Sequence, residues 1–94
     1  MLIRNQIVDL IKTAITEAQE QQLLPTGIFD NPTVHRPKNT MHGDFASNIA
    51  LKLAKPMGAS PMKIAEILAS LVSTSGPIEK ISATHPGFVN FVLK

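Results

Sequence analysis

The chain has 94 residues, 44% of them hydrophobic and 17% charged, and no cysteine. That suffices for one compact domain with a modest core and excludes two domains, disulfides, thiolate zinc sites and a thiol nucleophile. No apolar run approaches the roughly 20 residues of a membrane span, and the N-terminus is amphipathic with acids in it rather than leader-like, so a cytoplasmic protein is expected.

The net charge of +2 is unevenly spread. Residues 1–33 carry Arg4 and Lys12 against Asp9, Glu17, Glu20 and Asp30, whereas residues 34–63 carry Arg36, Lys38, Lys52, Lys55 and Lys63 against Asp44 alone. A basic middle can attract phosphates, and lysines on solvated helix faces produce the same pattern.

Along the chain, Ile3, Ile7, Leu10, Ile11, Ala14 and Ala18 recur at helical spacing and predict an amphipathic helix over about 2–23, stopped by Leu24-Pro25-Thr26-Gly27. Thr33-Val34-His35-Arg36, bracketed by Pro32 and Pro37, reads as a short strand at a sheet edge. Asp44 is placed to cap a second helix whose face is Phe45, Ile49 and Leu53 and which stops near Ala54, before Lys55-Pro56. Ser60-Pro61 opens a third helix with the stripe Ile64, Ile67, Leu68, Leu71 and Val72, closed by Gly76-Pro77. Ile78 to Thr84 is strand-like with Ile78 out of phase with Ile81 and Ala83, which suggests a bulge near its start. Thr84-His85-Pro86-Gly87 then reads as a type II turn into a final antiparallel strand. This order predicts a two-layer α+β domain, with helices on one face of an antiparallel sheet and the other face open to water or ligand.

On the final strand, Val89, Phe91 and Leu93 share one face, and Phe88, Asn90 and Val92 share the other. The first face is core. On the second, asparagine is a poor strand former and a costly core residue, so the face is expected to be wet. An aromatic ring and a carboxamide two residues apart suit stacking on a nucleobase and hydrogen bonding to its edge.

His42-Gly43-Asp44 is the other polar cluster. Histidine beside a carboxylate can do acid–base work, which makes a small hydrolase one rival reading. Capping by Asp44 and a turn at Gly43 account for the same residues structurally, and no nucleophile or second carboxylate lies nearby. His35, His42 and His85 lack the spacing of a metal site, and the isolated glycines form no phosphate loop.

Arg36-Pro37-Lys38, His42-Gly43-Asp44-Phe45-Ala46-Ser47-Asn48, Leu53-Ala54-Lys55-Pro56, Ser60-Pro61, Ile64-Ala65 and Pro86-Gly87-Phe88-Val89-Asn90-Phe91 together resemble the N-terminal additional domain of arginyl-tRNA synthetase, across nearly the whole chain. The resemblance implies a four-stranded antiparallel sheet with helices, docking on the outer corner of the tRNA. It also implies that Phe88 and Asn90, the first and third residues of the final strand, contact an exposed base of the D-loop of arginine tRNA. His85 stands where the family often has a small residue and is expected to add a contact, as are Arg36 and Lys38. His42, Gly43, Asp44 and Asn48 match the family signature at positions read as structural. Thr40-Met41 and Val92 depart from the family pattern, which often has an acid and a basic residue there.

The class I synthetase signatures, a His-x-Gly-His type element and a Lys-Met-Ser-Lys-Ser type element, occur nowhere in residues 1–94. The expectation is therefore a non-catalytic domain of a longer arginine–tRNA ligase. It has no cofactor of its own, while ATP with magnesium serves the parent enzyme. The expected partners are arginine tRNA and the catalytic domain of the same polypeptide, with neither DNA nor membrane. The competing expectation is a stand-alone protein-interaction module using the long first helix or the open sheet face.

Overall fold

The computed structural model describes residues 3–26, 32–37, 43–72 and 76–94. It contains α1 (Ile3–Glu20), β1 (Val34–His35), β2 (Phe45–Ser47), α2 (Ile49–Met57), α3 (Pro61–Leu71), β3 (Ile78–Thr84) and β4 (Phe88–Leu93). The strands form one antiparallel sheet in the order β1-β2-β4-β3, with the helices against one face. This is the two-layer α+β arrangement expected from the order of elements, with β1 at an edge.

The amphipathic stripe of α1 goes into the core, where Ile7, Ile11, Ala14, Ile15 and Ala18 are buried. The helix ends earlier than proline placement alone suggests. Gln22 takes a left-handed φ of 63°, and the Leu23 and Leu24 amides both donate to Ala18 O, at 2.8 and 3.3 Å, before Pro25 is reached. Gly27, the other half of the expected stop, lies outside the described residues.

The second element differs most from expectation. Phe45–Ser47 is a strand, not the first turn of a helix, and all three residues are buried. The fourfold spacing of Phe45, Ile49 and Leu53 imitates a helical stripe because Phe45 reaches the core from β2 while Ile49 and Leu53 reach it from α2. At its other end α2 runs through Pro56 to Met57. Proline there forgoes one hydrogen bond in the last turn, and burial of Leu53 and Met57 against the core holds the turn together. The Gly58 and Ala59 amides close it on Lys55 O and Ala54 O, at 3.2 and 3.1 Å.

α3 begins as predicted, with Ser60 at the N-cap and Pro61 in the first turn, although the serine side chain makes no capping hydrogen bond. In β3 the register shifts between Ile78 and Lys80, so the chain gains one residue there. That bulge turns Ile78, out of phase in the sequence, back to the helix side, where it is 1% exposed.

The β3–β4 turn is not type II. The His85–Pro86 bond is cis, which defines the type VI class, and Gly87 does not have the positive φ that type II requires. Gly87 is needed for another reason. A Cβ at that position would stand 2.7 Å from Pro61 Cβ and 3.3 Å from Leu51 Cδ2, so the turn lies directly on the start of α3.

Candidate nucleic-acid interface

Cross-strand pairs share a sheet face, which separates two environments on adjacent positions of β4. The row Phe45, Phe91, Ile81 and the row Val34, Ser47, Val89, Ala83 face the helices. Val89 and Phe91 are completely buried there, and Ser47 is retained because its Oγ accepts from the Ile49 amide at 3.2 Å, at the entry to α2. The opposite face carries the row His35, Ala46, Asn90, Ser82 and, nearer the turn, the pair Phe88 and Thr84.

On this second face Phe88 is half-buried and His35 is exposed; His85, in the turn that precedes Phe88, is exposed as well. The rings of His35 and Phe88 meet edge to face, 6.3 Å between centroids and 76° between planes. Ala46 lies between His35 and Asn90 in the row and is only 2% exposed.

Asn90 corrects the sequence-based expectation. It lies on the face away from the helices, yet it is 2% exposed, and its Nδ2 donates to Thr84 Oγ1 at 2.8 Å. Its polarity signalled a hydrogen-bond requirement, and the neighbouring strand meets that requirement without solvent. Phe88 and Asn90 are therefore adjacent, as the alternation demands, but only the ring offers surface.

The signature around the second helix also has a different geometry from the expected cap. Asp44 does not cap α2; Asn48 occupies the N-cap position and makes no side-chain capping bond. The Asp44 carboxylate instead accepts from the Leu93 amide at 2.7 Å, and the Asp44 amide donates to Phe91 O at 2.8 Å. These bonds clip the start of β2 to the end of β4. Gly43 makes that approach feasible, because its φ is +101° and a Cβ there would come within 2.7 Å of Phe91 O. Asn48 Oδ1 accepts from Thr33 Oγ1 at 3.0 Å, tying the entry of β1 to the start of α2.

Of the basic residues, Arg36 is exposed, and its guanidinium carbon lies 5.1 Å from the Phe45 ring centroid, covering the core edge by a cation–π contact. Lys52, Lys55 and Lys63 are exposed. Lys38 and His42 lie outside the described residues. Among the described residues no three His, Asp or Glu side chains converge on a metal-sized site, and no helix is long and apolar enough to cross a membrane.

Sequence reading missed His35 as a neighbour of Phe88. Its outward direction was legible, since Val34 must face inward, but the placement of β1 beside β2 and β2 beside β4 is a long-range fact. Thr84 was missed as the partner of Asn90, although it stands diagonal to it across the hairpin.

Comparison with known proteins agrees with this architecture. The family model described as the arginyl tRNA synthetase N terminal domain matches residues 5–93. The arginine–tRNA ligase of Caldanaerobacter subterraneus subsp. tengcongensis is 41% identical over 91 residues, covering 96% of this chain and 16% of that enzyme. The arginine–tRNA ligase of Azotobacter vinelandii is 38% identical over 89 residues, covering 95% of the chain and 15% of the enzyme. Among solved structures, Thermus thermophilus arginyl-tRNA synthetase shares the fold with a TM-score of 0.80 at 22% identity, over 99% of this chain and 14% of that one. The chain thus spans about one sixth of the length of the curated relatives it matches.

Proposed function

The chain belongs to the arginyl-tRNA synthetase N-terminal domain family, and from that premise we propose that it is the tRNA-recognition domain of an arginine–tRNA ligase, binding the D-loop at the outer corner of arginine tRNA. In this role it makes and breaks no bond. It contributes to substrate choice, while ATP with magnesium and the transfer of arginine belong to the catalytic domain of the same polypeptide, in the cytoplasm.

The observation that carries the proposal is the half-exposed Phe88 ring on the helix-free sheet face, at the hairpin and in edge contact with exposed His35. A base extruded from a loop stacks on such a ring. In this proposal Asn90, on the same face two residues on, meets the base edge, and Arg36, Lys38 and His85 add RNA contacts. Stacking is worth about 1–3 kcal/mol, so binding by the chain alone is weak and falls with salt.

The interaction-module reading is less well supported. The stripe of α1 that it would use is buried in the chain's own core, and Leu23 is the large hydrophobic side chain exposed among the described residues. The hydrolase reading needs a free Asp44 carboxylate, which is engaged by the Leu93 amide.

The test is NMR titration of the chain with an arginine tRNA transcript. Amide shifts should cluster at His85–Asn90 and disappear in Phe88→Ala. Titration that leaves this segment unmoved overturns the proposal, and shifts produced there only by a protein partner favour the interaction module.

A further inference from the structure

A groove of about 300 Å³ lies between α1 and the start of β3. Leu10, Pro77 and Ile78 supply its apolar parts, and Gln6, Asp9 and Thr13 its polar rim. The end of β4 arrives at the same place. The Lys94 amide donates to Pro77 O at 2.9 Å, one pair beyond the pairing of Ile78 with Leu93. Proline has no amide hydrogen to return, so the ladder stops there and whatever follows Lys94 is released from the sheet at the lip of the groove. Antiparallel pairing directs it past Gly76, where φ is +63° and a Cβ would meet nothing within 4 Å. The path is open.

The family is that of an N-terminal domain, and the match takes up 16% of the Caldanaerobacter enzyme, so in the parent ligase of the reading above a connecting segment follows Lys94. Resting on that reading, we propose that the groove between α1 and β3 is the seat of this connecting segment, an apolar side chain of which lies over Leu10 and Pro77 while its backbone meets Gln6 and Thr13. RNA does not suit the groove. Among the described lining residues the one charge is the Asp9 carboxylate, which repels phosphate. An attached segment also needs little affinity of its own, since a short tether gives an effective concentration on the order of millimolar, and a contact with a Kd of about 0.1 mM is then closed about 90% of the time. The groove lies at the end of β4 opposite to Phe88. A docked segment therefore orients the domain on the rest of the ligase without covering the base-binding ring.

Because the chain has no cysteine, an introduced thiol reports on the groove. Thr13→Cys and Gln6→Cys each place one there, and Lys52→Cys, exposed on α2, is the control. Alkylation rates are compared in the 94-residue chain, in the chain continued to the start of the catalytic domain and in the whole ligase, with any cysteine beyond Lys94 replaced by serine. Both groove thiols should react about tenfold more slowly in the two longer forms, because only the undocked fraction reacts, while the control keeps its rate. Equal rates in all forms overturn the proposal. Slowing confined to the whole ligase overturns it in favour of the catalytic domain as occupant, and rates that fall in the 94-residue chain as its concentration rises overturn it in favour of a second copy. The tRNA titration run beside these separates the two levels. Equal thiol rates with tRNA shifts present at His85–Asn90 mean that only the docking is wrong; absence of those shifts removes the tRNA reading whatever the thiols do.

Discussion

The two faces of β4 bury asparagine and phenylalanine by different means. On the helix side, Val89 and Phe91 are at 0% exposure because α2 and α3 pack over β4, and apolar area removed from water holds them in place. On the other side, Asn90 is 2% exposed with its amide nitrogen hydrogen-bonded to Thr84, while Phe88 two residues away stays half-exposed. Strand alternation assigns a side chain to a face; it does not say how deeply that face is covered at each point. The helix side is a stability surface, and the other side is partly closed, with one ring left for a ligand.

The largest effects should separate these faces outright. Phe91→Ala empties the centre of the core and should cost about 3–5 kcal/mol in chemical denaturation. Phe88→Ala, already half in water, should cost about 1 kcal/mol or less in the same measurement. In the proposed parent arginine–tRNA ligase, Phe88→Ala should lower kcat/KM for tRNA about tenfold while the ATP and arginine parameters hold. Equal losses of stability from the two substitutions would erase the distinction between the faces.

A smaller effect tests the turn that presents Phe88. Gly87→Ala places a methyl 2.7 Å from Pro61 Cβ, between the hairpin and α3, and overpacking of that kind costs about 1–3 kcal/mol. The hairpin should lift from α3 locally, visible as NMR shifts confined to residues 85–88 and the first turn of α3. A fully tolerated alanine would mean that the hairpin is not seated on α3 and that Phe88 is placed by β4 alone.

What the sequence disclosed follows the range of the interactions involved. α1, α3 and the final hairpin are governed by neighbours a few residues away, and their stripes, the Ser60-Pro61 start and the phase slip at Ile78 were readable as such. β2 was not, because three residues buried throughout show no alternation, and Phe45 falls on a helical spacing with Ile49 by coincidence. Asn90 misled for a related reason. Polarity in a strand demands a partner, and water was the partner assumed where Thr84 is the partner present. Asp44 was legible as a carboxylate next to a turn, but its acceptor role lies 49 positions away at Leu93, beyond anything local spacing can reveal.

The Asp44 clip makes the smallest and most discriminating prediction, since cap and clip remove protection from different amides. Asp44→Ala leaves the Leu93 amide without its side-chain acceptor, and the loss of one such bond at an exposed position should cost about 1 kcal/mol. Asp44→Asn keeps a carbonyl oxygen in reach and should cost less. Hydrogen exchange distinguishes the two geometries more sharply than stability does. A clip predicts faster exchange at Leu93 with the α2 amides unchanged, because α2 begins at Ile49 and the amide of that residue is held by Ser47 Oγ. A cap would expose the first turn of α2 and leave Leu93 protected. The clip also sits at the far end of β4 from Phe88, so Asp44→Ala should loosen the strand end while tRNA-induced shifts at His85–Asn90 persist; their loss would show that the base-binding end of β4 depends on the anchoring of its other end.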